Sequence, residues 1–179
     1  MNPPLVELAL LVFVVGCALG AALLRDTLAA VMAFAAYSLG VSVLWLMLQA
    51  PDVGLTEAAV GAGIMTILFL LALANTVTPD PDRLLESVNL RTVLLVGGFV
   101  AVMAATVPAL PAIGDPSSPV VGGEVTQYYL ENAYEQTDVE NSVTAVLAAY
   151  RGFDTLGEAV VVFAAGVVAL SVLRREVFA

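Results

Sequence analysis

The stretch APDVGLTEAAVGAGIMTILFLLALA, Ala50 to Ala74, sets Glu57 near the head of a run otherwise suited to hydrocarbon. Apolar runs of about 20 residues cross roughly 30 Å of lipid as helices. A helix is therefore predicted here from about Leu55 to Val77, with Pro51 marking the turn before it. Comparable runs lie on both sides: Leu5 to Leu24, Leu28 to Leu48, Leu90 to Ala109 and Thr155 to Leu173. The alternation of a barrel strand is absent from all of them, and helices are the other solution that satisfies a backbone in lipid. The expected fold is an all-α integral membrane protein with about five transmembrane helices.

Composition agrees. Of the 179 residues, 60% are hydrophobic and 12% charged, which lies outside the range of a soluble domain. The six basic residues are all arginine and face sixteen acids, giving a formal charge of -10. Such a chain cannot neutralise a row of phosphates, so nucleic acid is not an expected partner. The acidic, lysine-free balance fits proteins of salt-loving organisms. Histidine is absent and Cys17 is the single cysteine, which removes haem, iron-sulfur, the usual zinc sites and histidine-based triads; neither a cofactor nor a structural metal is expected. The opening MNPPLVELAL lacks a basic n-region, so a retained helix rather than a signal peptide is expected.

Arg25, Arg83, Arg91, Arg174 and Arg175 fall on one side if the N-terminus is outside, leaving Arg151 opposite. By the positive-inside rule that side, with the C-terminus, is cytoplasmic. The expected organisation is a three-helix module over 1–79, a cytoplasmic linker over 80–89 and a two-helix module over 90–179. The second module holds an acidic outer loop, 111–141. Within that loop Tyr128, Tyr129, Leu130 and Tyr134 recur at the spacing of a short helix lying on the membrane surface. Its acids fit a solvated surface or, as the alternative, a vestibule that collects cations. Residues 142–151 are too short to cross the bilayer. They form either an interfacial or re-entrant helix, broken from the last span at Gly152, or the start of a bent longer one.

Few residues could carry chemistry. A carboxylic residue at a helix centre in lipid costs on the order of 3 kcal/mol, less near the ends, so Glu57 needs either a function or the favourable end of the helix dipole and a route outward. Asp52, near the start of the same helix, is placed to modulate it. In YRGFDTLGE, Thr155 and Glu158 have capping-box spacing, with Asp154 adding charge favourable to the helix dipole. Asp154 and Glu158 also stand at i and i+4, close to Arg151, where burial and the arginine would tune their proton or cation affinity in opposite directions. A transient Na+ near this pair is one consequence. Gly16 and Gly20 make a small-xxx-small pair for helix packing. Gly61 and Gly63, lacking the third glycine of a dinucleotide loop, let a neighbouring helix approach or let their own helix deform. Ser38, Ser42 and Thr66 are expected to bond back to their own helix carbonyls.

Two stretches carry a family resemblance. PDVGLTEAAVGAGIMTILFLLAL, Pro51 to Leu73, resembles the signature of a three-helix module of the large subunit of Mrp-type cation/proton antiporters, which also occurs as a small subunit of energy-converting membrane-bound hydrogenases. ENAYEQTDVENSVTAVLAAYRGFDTLGEAVVVF, Glu131 to Phe163, resembles the two-helix module that follows it. The resemblance implies a multi-pass subunit of a large cell-membrane complex related to the complex I membrane arm. Other membrane subunits would be its partners, and it would handle protons and monovalent cations. It implies further that the third helix can carry a local bulge, and that acids matching Glu57, Asp154 and Glu158 move protons or sodium. Where the family often has an acid before the aromatic of this motif, the chain has Ala149 followed by Tyr150. The expected function is an accessory subunit of a Na+/proton antiporter. The rival readings are a scaffold without titrating groups and a membrane subunit of a redox-driven hydrogenase-like or respiratory complex. No nucleophile and base pair, metal cluster or phosphate loop supports an independent enzyme.

Overall fold

A computed structural model of the chain describes residues 3–76 and 83–177. Val77, Asp80 to Asp82, and the side chains of Arg174 and Arg175 lie outside the described set. The described residues form helices α1 (Pro3–Leu23), α2 (Thr27–Met47), α3 (Pro51–Ala74), α4 (Leu90–Thr106), α5 (Glu124–Thr137), α6 (Ser142–Ala145) and α7 (Gly152–Val177), a further single helical turn at Pro119–Gly122, and an isolated bridge between Leu24 and Leu85 as their β pairing. Five of them are long and apolar enough to cross a membrane: α1, α2, α3, α4 continued through a 3-10 turn to Ala109, and α7. The chain is a helical, multi-pass membrane protein. It divides into two compact units, Met1–Ala101 and Val102–Ala179.

In the first unit α2 is the middle helix, packed against α1 and α3. Asp26 starts it, its carboxylate accepting from the Ala29 N–H at 2.8 Å and so satisfying a donor that the first turn leaves open. The core is built from small and polar residues. Ser38, Ser42, Thr66, Gly40 and Gly54 are buried, whereas most leucines and valines face outward. That inversion suits lipid, where close backbone approach and interhelical hydrogen bonds hold helices together. A Cβ at Gly40 would come within 2.7 Å of the Val14 side chain, and one at Gly54 within 2.9 Å of the Ser42 carbonyl. Of the expected packing pair, a Cβ at Gly20 would meet Ala33 at an ordinary 3.4 Å, while among the described residues no atom outside its own helix backbone and chain neighbours lies within 4 Å of a Cβ at Gly16.

Between α2 and α3 the chain turns at Gln49, whose φ of 61° is left-handed. A side chain there strains the backbone, and glycine would not. Gln49→Gly is expected to stabilise the chain by about 0.5 kcal/mol, the relief exceeding the entropy glycine adds to the unfolded chain. Thermal melting of the detergent-extracted protein measures it.

The segment after the undescribed residues is fastened to the turn between α1 and α2. The Arg25 N–H donates to the Leu84 carbonyl at 3.1 Å, the Glu86 N–H donates to the Leu23 carbonyl at 2.7 Å, and Arg25 Nε pairs with Glu86 Oε2 at 3.0 Å. Beyond this clasp α4 exposes every residue.

In the second unit α5 is the expected tyrosine-bearing helix, 14 residues long, ended by Asp138 in the left-handed conformation at φ 55°. It packs on α6 through the buried Ala133 and Ala145. α6 runs directly into a π turn, Val146–Tyr150, and Arg151 then leaves helical geometry before α7 begins at Gly152. The capping box expected from Thr155 and Glu158 is not formed. Thr155 lies inside the first turn of α7, and its hydroxyl instead donates to the Leu147 carbonyl at 2.7 Å. The π turn changes the carbonyl pairing there, and a threonine eight residues on is the donor that reaches it.

Candidate functional site

Glu57 is the last residue of the first α-helical part of α3, Pro51–Glu57. The helix then widens into a π segment, Ala58–Met65, before resuming as Thr66–Ala74. The widening follows from the sequence AAVGAGIM, whose small residues offer little side-chain packing to hold the tighter i to i+4 register. Thr66, buried at the far end, donates its hydroxyl to the Gly61 carbonyl five residues back at 3.4 Å. Thr66 therefore bonds to its own helix as expected, with π rather than α spacing.

The Glu57 side chain is half-buried and folds over Gly61. A Cβ at Gly61 would stand 2.5 Å from Glu57 Oε1 and 2.7 Å from Ser38 Oγ on α2. The carboxyl and the hydroxyl thus face one gap, about a methyl group wide, that the missing side chain leaves open. Ser38 is 1% exposed, and its hydroxyl has no hydrogen-bond partner among the described residues. A buried polar group left in that state costs about 1–3 kcal/mol. One turn along α2, Ser42 crosses to α3 and donates to the Gly54 carbonyl at 2.6 Å. Neither serine bonds back to its own helix, contrary to expectation, because both lie on the face that α3 covers.

Asp52 sits half-buried in the first turn of α3, where its charge suits the helix dipole. Gly63 lies within the π segment, where an added Cβ would meet the Ala58 carbonyl of its own helix at 3.4 Å.

The second unit holds Arg151, Asp154 and Glu158. Arg151 grips one carboxylate oxygen of Asp154 through both Nε and Nη2, each at 2.6 Å. All three residues are exposed on this chain, and Glu158 stands one turn further along α7 with no hydrogen bond or ion pair among the described residues. Behind them Tyr150 donates to Gln136 Oε1 at 2.6 Å, and Gln136 Nε2 donates to the Tyr128 hydroxyl at 3.0 Å. The Tyr129 and Tyr150 rings meet edge to face at 4.9 Å. Partial burial, with Tyr128 and Tyr129 adding to it, pushes the Tyr150 hydroxyl above the ordinary tyrosine range, so it stays a donor near neutral pH. Through this cluster α5 fixes the π turn that precedes Arg151.

Glu57 belongs to the first unit and Asp154 and Glu158 to the second. Sequence reasoning missed Ser38 as Glu57's neighbour and Gln136 as the link between the tyrosines. A signal for the first was present: Ser38 and Ser42 stand at i and i+4, on one stripe of an apolar helix.

Residues 12–77 match the family model MbhD, which describes one subunit of the MBH complex, and residues 88–178 match MbhE, which describes another. A protein assigned as antiporter subunit mnhA2 of Staphylococcus haemolyticus is 32% identical over 165 residues, 92% of this chain and 19% of that protein. The Na(+)/H(+) antiporter subunit A1 of Staphylococcus aureus is 29% identical over 152 residues, 84% of this chain and 18% of that protein. The chain thus spans about a fifth of the length of these relatives. The likeness to the Mrp-type antiporter subunits runs through both modules, and with half of its residues inside one match and most of the remainder inside the other, the chain belongs to the MbhE family and carries an MbhD module ahead of it.

Proposed function

We propose that the chain is an accessory subunit of a multisubunit monovalent cation (Na+)/proton antiporter, in which Glu57, Asp154 and Glu158 pass protons or sodium ions to larger subunits. The observation that supports this most is Glu57 itself: a half-buried carboxyl, beside a buried hydroxyl without a partner among the described residues, at the start of a π segment in an otherwise apolar stretch of α3. Such an acid is expensive in lipid and in this class of protein marks an ion pathway. A π segment is a further mark, since such bulges gather at functional sites. The names of the relatives supply the exchanged ions. In the second unit Arg151 holds the Asp154 carboxylate in place, and Asp154 and Glu158 together form the exchanging pair, with a transient Na+ accepted near them. Asp52 modulates Glu57 from the helix start.

The modules in this reading are 1–79 and 90–179, joined by a linker over 80–89. The N-terminus is outside, and the loop 111–141 faces out. The ion pair between Arg25 and Glu86 supports a common side for the linker and the turn between α1 and α2. The bare, apolar surfaces of α4 and α7 suit contact with lipid and with other subunits.

The match to MBH subunits favours one other reading, a cofactor-free membrane subunit of a redox-driven, hydrogenase-like complex. A C-terminal tag, gentle extraction from native membranes and mass spectrometry of the copurifying chains separate the two. Large antiporter-like subunits without iron-sulfur or nickel proteins are expected. Redox subunits in stoichiometric amount would overturn the antiporter, and recovery of the chain alone would overturn both.

A further inference from the structure

The buried hydroxyl of Ser38 bears on Glu57 in a way that rests on the ion-carrying role proposed for that acid. Ser38 lies eleven residues into α2, roughly 17 Å along its axis and so near the middle of the hydrocarbon. Water does not reach it from outside, and the donors and acceptors of its own backbone are engaged in the helix. The gap over Gly61 is where its hydroxyl can find a partner, and the oxygen across that gap is Glu57 Oε1.

We infer that Ser38 is the positioning residue of Glu57, its hydroxyl turning to hydrogen-bond the carboxyl across the space that Gly61 leaves open. The residue type suits an acid that gains and loses a proton. A backbone carbonyl can only accept, from the protonated acid, and a backbone N–H can only donate, so it cannot take up the acid's O–H, whereas a hydroxyl donates to the carboxylate and, after rotating, accepts from the carboxylic acid. The serine keeps its own proton throughout, and the proton that moves enters and leaves on Glu57. Neighbouring features hold the arrangement. The hydrogen bond from Ser42 to the Gly54 carbonyl fixes the distance between α2 and α3 one turn away, and the π segment sets the backbone of Gly61 under the carboxyl. A glycine is required at 61 because any Cβ would occupy the meeting point of the two oxygens.

The test is made on the assembled complex in everted membrane vesicles, comparing Ser38→Ala, Ser38→Thr and Glu57→Gln. A purely structural serine would make Ser38→Ala harmless or slightly stabilising, since it deletes an unpaired buried hydroxyl. The expected result is that Ser38→Ala assembles and melts like the wild type or higher. Its maximal rate of Na+-driven proton movement falls about tenfold or more, and the Na+ concentration for half-maximal rate stays unchanged. Ser38→Thr, which retains the hydroxyl, recovers most of the rate. Wild-type rates in Ser38→Ala beside an inactive Glu57→Gln would overturn the role of Ser38 and leave that of Glu57 standing. Wild-type rates in Glu57→Gln would overturn both.

Discussion

Vesicles carrying Glu57→Gln are expected to lose Na+-driven proton movement by at least about a hundredfold while every subunit remains in the complex. Glutamine keeps the volume of the acid and can still bond to Ser38, so packing over Gly61 is preserved. It cannot release or accept a proton in the range where the acid does. Removing an ionisable group from the membrane interior also relieves part of a penalty on the order of 3 kcal/mol. Stability and activity should therefore move in opposite directions, a combination that loss of fold cannot produce. A pH-sensitive dye on everted vesicles reads the activity, and native gel electrophoresis reads the assembly. Glu158→Gln is expected to abolish transport in the same assay. Retention of the wild-type rate by both variants would leave the scaffold reading in possession.

The largest structural effect is expected at Gly54. A leucine there must push its Cβ into the Ser42 carbonyl, 2.9 Å away, and into the Leu46 side chain at 3.2 Å. Separating α2 from α3 also breaks the hydrogen bond from Ser42 to the Gly54 carbonyl. Overpacking of this kind together with a lost interhelical bond is worth about 2–4 kcal/mol. Gly54→Leu should thus lower the melting temperature of the extracted protein and the amount of chain recovered in the complex. Gly16→Leu is the matched control. Among the described residues no atom outside its own helix backbone and chain neighbours lies within 4 Å of a Cβ there, so its effect on melting should stay within about 0.5 kcal/mol, and any loss of assembly would then mark Gly16 as a contact with another subunit.

These two glycines illustrate what the sequence disclosed and what it withheld. Five spans were legible because apolar length is a local property, and Pro51, Arg25 and Asp26 punctuate the runs without help from distant residues. Glu57 was legible for the same reason, as a charge out of place. The packing glycines were legible only in part: Gly61 and Gly20 do let α2 approach. GCALG has the spacing associated with close helix contact, yet among the described residues no other helix comes within 4 Å of a Cβ at Gly16, while the solitary Gly54 and Gly40 are pressed harder than Gly20. Which glycine is used depends on which faces α1, α2 and α3 turn to one another, a property of three segments together. The start of α7 was misread for a related reason. Thr155 and Glu158 have capping-box spacing, but the π turn before them opens a carbonyl at Leu147, and that acceptor takes the threonine hydroxyl. Register changes of this sort leave little trace in composition, although the small residues of AAVGAGIM permit one.

The clasp between the α1–α2 turn and residues 84–86 bears on how such a protein can be encoded. Two backbone hydrogen bonds and an ion pair hold the far side of the linker to the three-helix unit without using the peptide bonds of residues 77–82. The two family matches end and begin on either side of that interval, at 77 and 88. A gene split there would yield two polypeptides, the second with a leading segment that already has a docking place on the first. Continuity of the chain then chiefly sets equal copy number and raises local concentration. Fusion and fission of these modules become changes of gene arrangement that the clasp lets the three-helix unit tolerate.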